Sequence, residues 1–295
     1  MSVALQDRLA GAVWGHLVGD AMGVPYEFKP SPPTVEWGHA GTWGQPPGTW
    51  SDDGALMLAL LDSLLSVGFD PEDQARRSVR WFRNSEYAPG PRFDIGNATR
   101  AALARFEAGS AAGESGGVAE ASNGNGSLMR ILPVALLGRD LDSVHLADWA
   151  RRASSVTHAH PRSRACCIAY CLLIQDALRG ERPDLASALV ATRRVADSTE
   201  LAELDQIESF STRSGDGYVV DCLWSAWDAF DGAPDYAATI ERAIKYGNDT
   251  DTTAAVAGGL AGAWFGAAAI PPAWLTAMRG RPIADALVTR LVAVE

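Results

Sequence analysis

An all-α fold is what the sequence predicts, on three observations. Apolar residues recur at helical spacing, as in Leu5, Leu9, Val13, Leu17 and Ala21. Helix-start signals recur along the chain, among them Asp70 before Pro71 and Glu72, and Asp142 before Ser143. Strand-like alternation is scarce, and Pro161, Pro183, Pro271 and Pro282 punctuate the later apolar stretches.

In chain order, the first helix runs from Leu5 through Ala21 on its every-fourth-residue apolar stripe. The second opens at Ser51-Asp52-Asp53-Gly54 and continues through the apolar run Ala55 to Leu61. Periodicity predicts further helices over 72–84, 97–108, 127–137, 163–179, 185–195, 218–230 and 236–246, plus one from Asp142-Ser143 to near Thr157. The last strong signal is Gly247-Asn248-Asp249-Thr250-Asp251-Thr252-Thr253, which leads straight into the small apolar stretch Ala254 to Trp264. That makes a dozen or so helices and no sheet. The segment Gly109 to Gly117 has the composition of a linker. It is read as a surface loop, because the helices on either side must share one core, and a single domain over 1–295 is expected. No repeat at solenoid spacing is visible.

With 295 residues, 47% of them hydrophobic, the chain can bury a sizeable core. Its formal charge of −11 argues against a DNA or RNA surface, which relies on clustered Lys and Arg, and no sequence-specific nucleic-acid partner is expected. The N-terminus carries Asp7 and Arg8 where a secretion signal needs an unbroken apolar core. The stretch Ala254 to Ile270 approaches membrane-spanning length, but its Ala and Gly content suits close helix packing, so no membrane partner is expected. Cys166, Cys167, Cys171 and Cys222 read as buried small hydrophobes in a reducing compartment, and the expected location is cytoplasmic.

Chemistry concentrates at the two oxygen-rich helix starts. Ser51, Asp52, Asp53, Asp249, Asp251 and Thr252 offer hard oxygen ligands without nearby Cys or His, a set that suits magnesium, manganese or calcium. Helix capping accounts for one Asp at each start, worth about 0.3 to 1 kcal/mol through the helix dipole. It does not account for four carboxylates crowded at two mouths, which repel one another without a cation. A third segment, Ser122 to Ser127, is glycine-rich before an apolar run and is either an ordinary turn or a phosphate cradle. His158 and His160 flank a helix break and are candidates for capping, ligand contact or metal binding. Glu27 lies in a loop between aromatics, and Asp94 precedes a helix as either a cap or a functional acid.

Taken in order, these segments resemble the ADP-ribosylglycohydrolase family, which includes the dinitrogenase reductase-activating glycohydrolase and the ADP-ribosylarginine hydrolases. The resemblance spans nearly the whole chain. It rests on Gly15-His16-Leu17-Val18-Gly19-Asp20-Ala21-Met22-Gly23 with Glu27, on Trp50-Ser51-Asp52-Asp53, on Asn125-Gly126-Ser127-Leu128-Met129-Arg130, on Thr157-His158, and on Gly247-Asn248-Asp249-Thr250-Asp251-Thr252. Ser51 stands where the family usually has Thr and keeps the hydroxyl, while Gly54 stands where a second Thr is common.

The resemblance implies an orthogonal multi-helix bundle holding two divalent cations, Mg2+ or Mn2+, on Ser51, Asp52, Asp53, Asp249, Asp251 and Thr252. It implies hydrolysis of the glycosidic bond between ADP-ribose and an acceptor. Asn125, Gly126, Ser127 and Met129 would lie along the diphosphate and ribose, and His158 would contact the nucleotide. Glu27, Asp94 and Asp53 would stand nearest the chemistry, with Asp94 matching an acid near the acceptor guanidinium in arginine-type enzymes. The expected substrate is therefore an ADP-ribosylated protein, arginine-linked first, or a free ADP-ribose conjugate. Competing expectations are another linkage (serine, nucleic acid or O-acetyl), a catalytically silent ADP-ribose-binding member, and a metal-dependent phosphohydrolase.

Overall fold

A computed structural model describes residues 3–294, and within them the chain forms fifteen α-helices and no strand. The outermost residues of the expected 1–295 span, Met1, Ser2 and Glu295, lie outside the described residues. Helices α1 (Leu5–Gly23), α2 (Asp52–Val67), α3 (Pro71–Asn84), α4 (Asn97–Glu107) and the single turn α5 (Ala112–Ser115) form the first half. After α6 (Leu132–Leu137) come α7 (Ser143–Ser155), α8 (Pro161–Arg179), α9 (Leu185–Val195) and α10 (Ser198–Glu208). The chain finishes with α11 (Val219–Asp231), α12 (Tyr236–Ile244), α13 (Thr250–Phe265), α14 (Pro272–Ala277) and α15 (Arg281–Val292).

The centre of the bundle is the antiparallel pair α1 and α13, which cross so closely that only glycine fits. A Cβ added to Gly262 would lie 1.9 Å from the Gly11 carbonyl oxygen, and one on Gly258 would lie 2.3 Å from that of Gly15. This packing delivers the C-terminal end of α1 to the N-terminal mouth of α13, where the Thr250 hydroxyl donates to the Gly23 carbonyl at 2.9 Å. The apolar run of α13 is buried in protein from Ala254 to Ala263. No helix among the described residues is long and apolar enough to cross a membrane. The four cysteines are buried in α8 and α11.

Three differences from the sequence reading have physical causes. The helix expected over 127–137 covers only its second half, after a short 3-10 turn at Asn125–Ser127. Pro133 has no N–H to give the Met129 carbonyl, and the Arg130 guanidinium takes the Gly126 carbonyl at 2.5 Å, so a continuous helix has lost its bonds there. The segment 109–117 is not a free loop: Ala112 and Ser115 are buried, and the Ala112 N–H donates to Glu72 at 2.7 Å. Helix α10 escaped periodicity although Asp197 and Glu200 form a capping box, and α14 and α15 start at the prolines read as breaks.

Candidate functional site

Asp20, near the end of α1, is the hinge on which the site is built. Its side chain is fully buried and accepts the Ser51 N–H at 2.9 Å and the Gly54 N–H at 2.8 Å, so the first turn of α2 hangs from α1. Burial pushes the Asp20 carboxyl up to about 7, against those hydrogen bonds. A side chain at 54 has no room, because a Cβ would meet Leu17 at 2.7 Å and Trp50 at 2.9 Å. Support at Gly54 therefore comes through its backbone N–H. In the sequence Asp20 lies within the Gly15–Gly23 motif, and its one signal is an acid among the apolar residues Leu17, Val18, Ala21 and Met22.

Capping explains little at these mouths. Ser51, not an Asp, caps α2, accepting the Asp53 N–H at 3.2 Å. At α13 the N-cap Asp249 makes no capping bond, and its carboxylate instead accepts from the Asn125 amide at 2.8 Å. Asp94 does not cap α4, whose N-cap is Gly96, and it sits at φ 51, a left-handed conformation that costs an ordinary residue about 1 to 3 kcal/mol.

The two mouths face a cleft of about 310 Å³. Its lining includes an acidic set, Glu27, Asp52, Asp53, Asp94 and Asp249 with Thr252, and a second set, Asn125, Gly126, Met129 and His158. Ser51 lies behind this lining as the cap of α2. Asp251 joins Glu27 and Asp94 in a group whose carboxylate oxygens lie within 4.8 Å of one another. Ser127 is the expected site residue whose side chain does not join the cleft: it is fully buried, and its hydroxyl accepts from Ser154 at 2.9 Å.

Burial, compounded by neighbouring acids, raises the carboxyls of Asp52, Asp53 and Asp251 well above their usual range. Burial also raises Asp249, although the Asn125 amide opposes it, and burial with Asp94 alongside pushes Glu27 up to about 10. One oxygen of Glu27, one of Asp53 and both of Asp251 are buried without a hydrogen-bond partner. Orphaned acceptors gathered in this way are what a hard cation satisfies, so the residues present fit a divalent metal.

In the second set, His158 pairs through Nδ1 with the Thr157 hydroxyl at 2.7 Å, and burial lowers its pKa to about 3, so it is neutral. Gly126 has to be glycine there, because a Cβ would come 2.8 Å from the His158 ring. His160, the other candidate, caps α8 by accepting the Arg162 N–H at 3.2 Å. The loop 211–218, passed over in the sequence, ties the two sets together. Gly217 accepts the Asn125 N–H at 3.0 Å and Gly215 accepts the Asp249 N–H at 2.9 Å.

The family model for ADP-ribosylglycohydrolase matches residues 1–295. The ADP-ribosylarginine hydrolase Tri1 of Pseudomonas putida (strain GB-1) is 34% identical over 281 residues, covering 91% of this chain and 73% of that protein. The ADP-ribosyl dinitrogen reductase glycohydrolase of Rhodospirillum rubrum is 31% identical over 285 residues, covering 92% and 90%. A solved structure titled as an ADP-ribosylglycohydrolase-related protein complex superposes with a TM-score of 0.82 at 34% identity, covering 98% of each chain.

Proposed function

The chain belongs to the ADP-ribosylglycohydrolase family and is a glycohydrolase, and from that premise we propose that it is a metal-dependent hydrolase of arginine-linked ADP-ribose on protein. The observation that carries the reading is the Glu27, Asp94 and Asp251 group, with buried carboxylate oxygens left without partners beside the cleft. Ser51, Asp52, Asp53, Asp249, Asp251 and Thr252 would hold two divalent ions, Mg2+ or Mn2+. When bound, such ions polarise sugar hydroxyls and fix the ribose against the acids.

The remaining work belongs to the chain's own side chains. Glu27 holds and moves the proton at its unpartnered Oε2, within reach of the Asp94 and Asp251 carboxylates. Asp94, held at the opening in a left-handed conformation, faces the positively charged leaving group. Asn125, Gly126 and Met129 line the wall for the diphosphate and ribose, and neutral His158 offers a hydrogen bond rather than a charge to the nucleotide. Cleavage then runs through an oxocarbenium-like ribose, with the acceptor guanidine leaving as the glycosidic C–N bond breaks and water adding to the anomeric carbon.

The name of the Pseudomonas relative, an ADP-ribosylarginine hydrolase, supports the arginine linkage, as does the acid at position 94. The test is to incubate the protein with arginine-, serine- and nucleic-acid-linked ADP-ribose in Mg2+, Mn2+ or chelator. Free ADP-ribose from the arginine substrate alone, lost in chelator, is the expected result. Preferential release from serine would overturn the acceptor, and AMP as product would point to a phosphohydrolase.

A further inference from the structure

Among the described residues only two aromatic side chains are largely exposed, Phe28 at 63% and Trp43 at 62%, and they stand together. Their ring centroids are 6.4 Å apart, edge to face. Phe28 lines the mouth of the cleft directly after Glu27. Exposed large rings are ordinarily covered, and elsewhere in this loop Trp37 is stacked on Trp274.

Both rings are fixed in place rather than trailing into solvent. Phe28 is held at φ 58, a strained conformation for an aromatic residue, by its N–H bond to the Asn248 carbonyl at 2.6 Å. Asn248 immediately precedes Asp249, so the Phe28 position is tied to the acidic mouth of α13. Trp43 follows Thr42, whose hydroxyl reaches the Val24 carbonyl at 3.0 Å and the Glu27 carbonyl at 3.3 Å. The Trp43 N–H donates to the Gln45 side chain at 3.1 Å.

The chemistry this pair can recognise is set by its neighbours. Phe28 lines the same cleft as Glu27 and Asp94, with Trp43 edge to face against it, and this setting favours a planar cation, because a guanidinium is attracted by a ring face and by a carboxylate together. Among the described residues eight arginines lie over aromatic rings, at 4.4 to 5.9 Å from the centroid, and none of them covers Phe28 or Trp43. We propose that Phe28 and Trp43 form the acceptor platform of the cleft, with Phe28 against the guanidinium of the ADP-ribosylated arginine and Trp43 against the adjoining polypeptide. This rests on the arginine reading above. It adds that selection of the acceptor is made by a cation-binding aromatic pair as well as by Asp94, and that the enzyme takes the arginine within a polypeptide.

Steady-state kinetics on the metal-loaded full chain tests it, with an ADP-ribosylarginine peptide, free ADP-ribosylarginine, and ADP-ribose as inhibitor. Phe28→Ala should raise KM for both substrates roughly tenfold with kcat little changed, the size of a desolvated cation–π contact. Trp43→Ala should raise KM for the peptide alone. Inhibition by ADP-ribose should be unchanged in both, and Phe28→Tyr should restore KM. Phe28→Gly, which suits φ 58 better than any side chain, should lose the same affinity without a lower melting temperature, so a folding defect cannot imitate the effect. An unchanged KM in the alanine variants, or an equal loss of ADP-ribose inhibition, would overturn the platform. Failure of the wild type to cleave the arginine peptide would instead overturn the arginine reading, and the platform with it.

Discussion

Glu200, in the first turn of α10, is fully buried and fully compensated: Arg151 of α7 holds it through two nitrogens at 2.7 Å each, and Arg164 lies 3.3 Å away. In the cleft Glu27, Asp52, Asp53 and Asp251 are likewise buried and Asp94 and Asp249 half-buried, yet none of the ion pairs among the described residues includes any of the six. Asp62 shows the paired pattern again. Burial raises it, but hydrogen bonds from Arg290 and Tyr87 and the Arg77 charge bring it below its usual range, whereas Asp53 and Asp251 in the cleft are raised. Glu200 and Asp62 are balanced by arginines and the cleft acids are not, and an added cation would make up that difference.

Removing one of the unpaired acids should separate activity from stability most sharply. Asp251→Asn is expected to lower kcat/KM by more than about a hundredfold, the upper end for residues that only support metal ligands. In chelator the same change should raise stability by on the order of 1 kcal/mol, because it removes a buried like charge. Activity assays beside thermal melts with and without metal check this, and a destabilised metal-free variant would erase the contrast. Breaking the compensated pair should do the reverse. Arg151→Ala leaves Glu200 buried with Arg164 alone and is expected to cost about 3 kcal/mol in urea unfolding, with kcat/KM of the folded enzyme within about twofold.

The smallest expected effect is the pH dependence of the metal-free protein. Asp20, raised to about 7, and Glu27, raised to about 10, bind protons more tightly folded than unfolded. Their contribution is fully present below the ordinary carboxylate range and is lost as pH rises from there through about 7 for Asp20 and about 10 for Glu27, so above the ordinary histidine range stability should fall toward pH 10. His16 and His158 have the opposite sign: burial lowers them to about 4 and about 3, and their contribution is lost as pH falls below the ordinary histidine range. The two trends place the stability maximum on the acid side of neutrality, and Mg2+ or Mn2+ should flatten the alkaline limb. Melts from pH 5 to 9 in chelator, then in metal, measure both.

How much of this could be read in the sequence followed the range of the interactions. The two helix mouths and the Glu27 and His158 segments are visible because each is a local cluster of unusual residue types at the end of a helical period. Asp20 gave little local signal, since its partners Ser51 and Gly54 are more than thirty positions away. The loop carrying Gly215 and Gly217 was unreadable for a related reason: it acts through backbone carbonyls, which any residue supplies. Ser127 is set along the diphosphate and ribose only by the family resemblance, and nothing local says where its hydroxyl points. The Arg130 bond to Gly126 and the proline at 133 break the helix expected there, and the hydroxyl ends up against Ser154. The helix α10 was legible through its capping box and was missed because its apolar stripe is weak.

The central claim is that the unpaired acids are a cation site, and calorimetric titration of the metal-free protein with Mn2+ and with Mg2+ tests it most directly. The account predicts binding with proton release, seen as a heat that varies with the ionisation enthalpy of the buffer, and its loss in Asp53→Asn and Asp251→Asn. No binding at millimolar metal, alongside undiminished release of ADP-ribose, would contradict it.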